Sequence, residues 1–125
     1  MGIFGGKAKT LTPYTLKTGA AIPLTDVEPD YIAWVRESKP AGKFGHEATV
    51  RVELQDDCIV AMAGDGSVIA RMSEQKSNLY RDEFEVLRQR GHYGVAQIEV
   101  SPAGRKERVN LAINYDAGCR DGGIL

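Results

Sequence analysis

From Val50 the chain alternates, with Val50, Val52 and Leu54 on one face and Arg51, Glu53 and Gln55 on the other. That period of two marks a strand with one wet face. Asp56-Asp57 breaks the pattern, and Cys58-Ile59-Val60-Ala61-Met62-Ala63 follows as a nearly continuous apolar run. Too short for a helix, this run predicts a buried strand. Gly64-Asp65-Gly66 then supplies a hairpin turn, because Asp-Gly suits the positive-φ positions of a two-residue loop. Ser67 to Met72 returns as the partner strand.

Downstream, Leu79, Tyr80, Phe84 and Leu87 recur at helical spacing, with Ser77 or Asn78 as the candidate cap. Asp82 and Glu83 lie early in this segment and Arg88 and Arg90 late, which complements the helix dipole, and Gly91 suits the C-cap. Val95, Ile98 and Val100 predict a further strand, and Ser101-Pro102-Ala103-Gly104 a turn. Val109, Leu111 and Ile113, alternating with Arg108, Asn110, Ala112 and Asn114, complete a second hairpin. Residues 50–115 therefore predict the order strand-strand-strand-helix-strand-strand.

Upstream, Thr25 with Glu28 three residues later fits a capping box, and Pro29 suits a first turn. Tyr31, Ile32, Trp34 and Val35 then supply an apolar surface, predicting a helix over 28–38 with Trp34 as a core anchor. Pro40 and Gly42 end it, and Lys39 to His46 read as a polar loop. Residues 1–19 read as a loose arm, 117–125 as a tail, and 20–116 as one domain. The fold class expected is α+β: a small, mainly antiparallel bent sheet or barrel of about five strands. One helix lies between strands three and four, and a short helix stands at the N-terminal side.

Composition narrows the function classes. The 125 residues are 42% hydrophobic and 26% charged, with a net charge of -1. Such a chain can bury a core of its own, and it has no global field to draw it to nucleic acid or an anionic membrane. Any nucleic-acid site must be local. No apolar stretch is long enough to span a bilayer, and Gly6 stands where a myristoylation signal wants Ser or Thr, so a cytoplasmic location is the default. Cys58 and Cys119 lie far apart without zinc-type spacing, so neither a structural disulfide nor a metal is expected.

Catalysis has little to build on. His46 and His92 are isolated and no partnered nucleophile accompanies either. Asp56, Asp57 and Asp65 read as turn residues rather than metal ligands, and Gly64-Asp65-Gly66 lacks a phosphate-loop pattern. No catalytic residue, metal or cofactor is assigned. Positive charge has more leverage: Arg51, Arg71, Lys76 and Arg81, with Arg105, Lys106 and Arg108 at the last hairpin. Gathered beside Tyr80, Tyr93 or Tyr115, they would make a phosphate-binding groove with stacking platforms.

The order of Val50 to Leu54, Cys58 to Ala63, the Gly64-Asp65-Gly66 turn, Val68 to Glu74, the helix through Leu87 to Gly91 and the Ala96 to Val100 strand resembles the HIRAN domain. It is similar in particular to the stand-alone HIRAN-like proteins of actinobacteria, which share an opening like Met1 to Gly5. The resemblance implies a small barrel with inserted helices that binds single-stranded DNA. Two features depart from that family: Gln55-Asp56-Asp57 replaces a longer loop that shapes the nucleic-acid pocket, and Ala70-Arg71 replaces a glycine followed by an aromatic or small residue. The resemblance thus supports the fold more than the activity, and the expected binding rests on convergence of basic side chains, with Arg51, Arg71, Arg81, Tyr80, Arg105 and Lys106 as candidate nucleic-acid contacts. The alternative partner is a protein or a second copy of the chain, joined through the apolar helix and a sheet edge.

Overall fold

The structure, a computed structural model, describes residues 11–17, 19, 21–42 and 45–113. Among them the elements run β1 (Thr12–Thr15), β2 (Ala21–Thr25), α1 (Pro29–Ser38), β3 (Ala41–Gly42), β4 (Gly45–Gln55), β5 (Cys58–Met62), β6 (Val68–Met72), α2 (Glu74–Gln89), β7 (His92–Val100) and β8 (Val109–Ala112). Strands β7, β8, β2, β6, β5 and β4 pair in that order, and β4 pairs back onto β7, so six antiparallel strands close a barrel. Two strands are additional: β1 runs parallel beside β7, and β3 folds back on β4. From Val50 onward the observed order of strands and helix is the expected one.

The barrel interior follows from the alternation. Val50 and Val52 of β4, Ile59 and Ala61 of β5, Ile69 of β6, Ile98 and Val100 of β7 and Leu111 of β8 are all buried in one cluster. Full burial of one such aliphatic side chain contributes about 1.5–3 kcal/mol relative to exposure. The helices meet opposite ends of β7: Arg36 of α1 donates from Nε to the Ser101 carbonyl at 2.9 Å, just past its last residue. Phe84 of α2 packs at Gly94 near its start. Each helix thus covers part of the barrel that the strands alone leave open.

Several expectations change. Among the described residues eight strands replace the five expected, and two precede the first helix: β1 is polar, and β2, with only Ile22 and Leu24 buried among five residues, is too short for its alternation to stand out. Thr12–Thr15 holds to β7, and Leu16 is 4% exposed, so the loose-arm expectation does not apply to residues 12–16. Residues 1–10 and the tail 117–125 lie outside the described residues. The 39–46 stretch contains β3 and the start of β4 rather than only a loop.

The caps also differ. Thr25 ends β2, its hydroxyl directed to the Arg71 carbonyl at 3.4 Å, and α1 starts after Glu28 without a side-chain cap. Helix α2 starts three residues before the expected cap: Ser73 Oγ accepts from the Lys76 amide at 3.2 Å. Ser77 instead lies fully buried, accepting from the Ile59 amide at 2.9 Å and donating to the Met72 carbonyl at 3.4 Å. Gly91, at φ 84, follows the helix end as expected.

The Ser77 hydroxyl serves a β5 amide that has no water to turn to. Ser77→Ala therefore leaves a buried donor unsatisfied and should lower unfolding free energy by about 1–3 kcal/mol in urea titrations. An unchanged midpoint would mean that this amide finds another partner.

Candidate functional site

A cleft crosses the outer face of β4 and β7, bounded on one side by α1 and on the other by the β5–β6 turn. One part, about 250 Å³, is lined by Tyr31, Trp34, Thr49, Ala63 and Gly64. The next, about 230 Å³, takes in Thr49, Arg51, Met62, Ala63, Gly64, Gly66, Tyr93 and Val95. Thr49, Ala63 and Gly64 line both, so the two parts are one groove.

Each wall has a local cause. On α1, Ile32 and Val35 turn inward, and the adjacent stripe of Tyr31 and Trp34 is left on the groove side. Trp34 is 49% exposed, which corrects the expectation of a core anchor. Its ring lies 5.6 Å from that of Tyr31, and Lys39 Nζ sits 5.5 Å from the ring centroid. The Lys39 backbone is fixed in turn, since its carbonyl lies 2.6 Å from His46 Nδ1, which must donate to it. The opposite wall turns through Ala63–Gly66. The Ala63 amide donates to Ser67, Gly66 donates to Ala63, and Gly66 takes φ 90. This is a three-residue loop closing on a left-handed glycine rather than the two-residue turn expected. Asp65 accepts from the Ser67 amide and hydroxyl at 2.9 and 2.6 Å, which holds its carboxyl below the usual range.

On the floor, Arg51 lies in register with Val95, and its guanidinium carbon is 4.0 Å from the Tyr93 ring centroid. It also pairs with the Glu53 carboxylate. The Arg51 side chain remains 39% exposed. Two residues along, Thr49 accepts from Gln97 Nε2 at 3.1 Å. Further along the same face Glu47 stands directly opposite Glu99. Partial burial and the Glu47 charge raise the Glu99 carboxyl above its usual value.

The other expected contacts do not join Arg51. Tyr80 is a core residue, 6% exposed, so its ring cannot receive a base, contrary to expectation. Arg81 ties α2 to the β4–β5 turn, donating to the Asp57 carbonyl at 3.0 Å and to Asn78 Oδ1 at 2.9 Å. Arg71 sits on β6, two strands from β4, in register with Val60 and Thr25. Arg105 and Lys106 lie in the loop beyond the far end of β7, where Lys106 borders a separate cleft against β2. Tyr115 lies outside the described residues.

Neither histidine faces a carboxylate among the described residues: His46 contacts the Lys39 carbonyl, and His92 Nδ1 lies 2.9 Å from the Thr12 hydroxyl. Among the same residues no group of three His, Cys, Asp or Glu is arranged to hold a metal, and Cys58 is free and half-buried. No helix among them is long and apolar enough to cross a membrane.

Compared with known protein families, with characterised proteins and with solved structures, the chain matches none.

Partial burial of Glu99, with Glu47 opposite it, yields a pH dependence. The folded state holds the Glu99 proton more tightly than the unfolded chain, so the native form gains relative stability as pH falls through the raised value. The penalty is fully present above it. Glu99→Gln should therefore raise the melting temperature at about pH 7 and have little effect at about pH 3, where both states are protonated. Equal effects at the two pH values would show that ionisation of Glu99, penalised by burial and by the Glu47 charge, is not the cause.

Proposed function

We propose that the protein is a non-enzymatic binding domain that takes single-stranded nucleic acid, DNA in the first instance, in the groove between α1 and the β5–β6 turn. One observation carries this reading: two aromatic–cation pairs, Trp34–Tyr31 with Lys39 and Tyr93 with Arg51, line a continuous cleft floored by Thr49. Exposed aromatic rings give bases a stacking surface, and the adjacent cations lie within reach of the phosphates that follow. A closed barrel with a helix between its third and fourth strands from Val50 is also the kind of fold that the HIRAN resemblance implies. The contacts differ in part from those expected: Arg51 and Tyr93 are kept, while Trp34, Tyr31 and Lys39 take the place of the scattered residues.

A second reading has its own support. Trp34 at 49% exposure and the Glu47–Glu99 pair on the adjoining face suit a protein partner with an apolar anchor and basic flanks as well as they suit a base.

Trp34 is the chain's single tryptophan, so its fluorescence reports the site directly. Titration with a ten-residue oligothymidylate should quench it. Trp34→Phe, read by anisotropy of a labelled strand, should retain binding better than Trp34→Ala, which loses about 1–3 kcal/mol, or roughly fivefold to 150-fold in affinity. With two cations engaged, the logarithmic salt slope should be shallow, about -1.4. No quenching, or Arg51→Gln binding as tightly as the unsubstituted protein, would overturn the proposal; a concentration-dependent mass in light scattering would favour the protein partner.

A further inference from the structure

Thr49 lies in both parts of the groove, between the aromatic pair of α1 and the Arg51–Tyr93 pair. Its hydroxyl oxygen already accepts from Gln97 Nε2 at 3.1 Å. That bond occupies an acceptor site and leaves the hydroxyl proton to be donated elsewhere. Thr49 itself is exposed, so this proton is available to a ligand. Thr49 and Arg51 are two residues apart on one face of the strand, about 7 Å, so the hydroxyl stands beside the Arg51–Tyr93 platform without being covered by it.

From this geometry we infer that the groove is a two-base site. One base rests on Trp34, the next on the Arg51–Tyr93 pair, and the phosphodiester between them accepts the Thr49 hydroxyl proton, which Gln97 directs outward. This inference rests on the nucleic-acid reading above and specifies its ligand as an extended dinucleotide step with its bases apart. Stacked duplex offers neither platform a free base face, because each of its bases is covered by its neighbours. The floor also disfavours a second phosphate further along β4, where Glu47 and Glu99 face outward side by side.

The deciding measurement compares Thr49→Val with Thr49→Ser, using Trp34 quenching by the ten-residue oligothymidylate. Valine keeps the shape and the strand preference of threonine but removes the donor. It should weaken binding about tenfold or more, as expected for losing a hydrogen bond to a charged group, whereas serine should stay within about threefold. Unchanged thermal melting would show that both variants are folded. An oligothymidylate duplexed with its complement should quench poorly with every variant. Thr49→Val binding as tightly as the unsubstituted protein, or serine losing as much as valine, overturns the two-base site while leaving single-strand binding in place. Absence of quenching in the unsubstituted protein overturns both.

Discussion

The ladder between β4 and β7, from His46 opposite Val100 to Val52 opposite Gly94, turns a bent sheet into a barrel. It joins the two longest strands, and every other strand is reached by walking outward from this pair. Closure at this seam demands residues without side chains. A Cβ on Gly94 would lie 3.0 Å from Leu16 and 3.2 Å from the Val52 carbonyl oxygen. Gly45, at φ 124, lies so close to Val100 that a Cβ there would overlap its carbonyl. Glycine is permitted at both for steric reasons, and at Gly45 for conformational ones as well.

That seam also fixes the outer face where the groove lies. Once Val50, Val52, Ala96 and Ile98 point inward, Thr49, Arg51, Gln97 and Glu99 must point outward, since a one-residue slip would exchange the two sets. Helix α1 contributes Ile32 and Val35 to the interior, and its ten residues then carry Tyr31 and Trp34 alongside the strands instead of beneath them. The groove is thus the space left when a short helix with two apolar stripes can bury only one of them.

The strand order from Val50 was legible because apolar alternation and turn residues agree there. What escaped notice lies where small or polar residues hide the period. In β7 the inward set is Gly94, Ala96, Ile98 and Val100, and two small residues mask it, so the strand is legible but its faces are not: Val95, off the inward set, lines the groove. Tyr93 shares its face. β1 and β3 are short edge strands with little apolar content, and only tertiary pairing reveals them. Tyr80 and Trp34 exchanged roles for a related reason: the first fits a helix stripe facing the barrel, the second falls one stripe aside. A helix of ten residues with four large apolar side chains was the available signal that one stripe would be left outside.

Charge on the groove face is sparse and partly compensated. Arg51 divides its guanidinium between the Glu53 carboxylate and the Tyr93 ring, so it presents a held, oriented plane rather than a free positive field. A guanidinium fixed this way is already ordered, and a ligand that stacks on it loses little additional side-chain entropy in doing so. Glu47 and Glu99 make the far end of the same face repulsive to phosphate, so for the proposed nucleic-acid ligand electrostatics would limit where a strand runs more than it adds to affinity. In that proposal aromatic contact must carry most of the binding energy. This is consistent with a chain whose overall charge is close to zero.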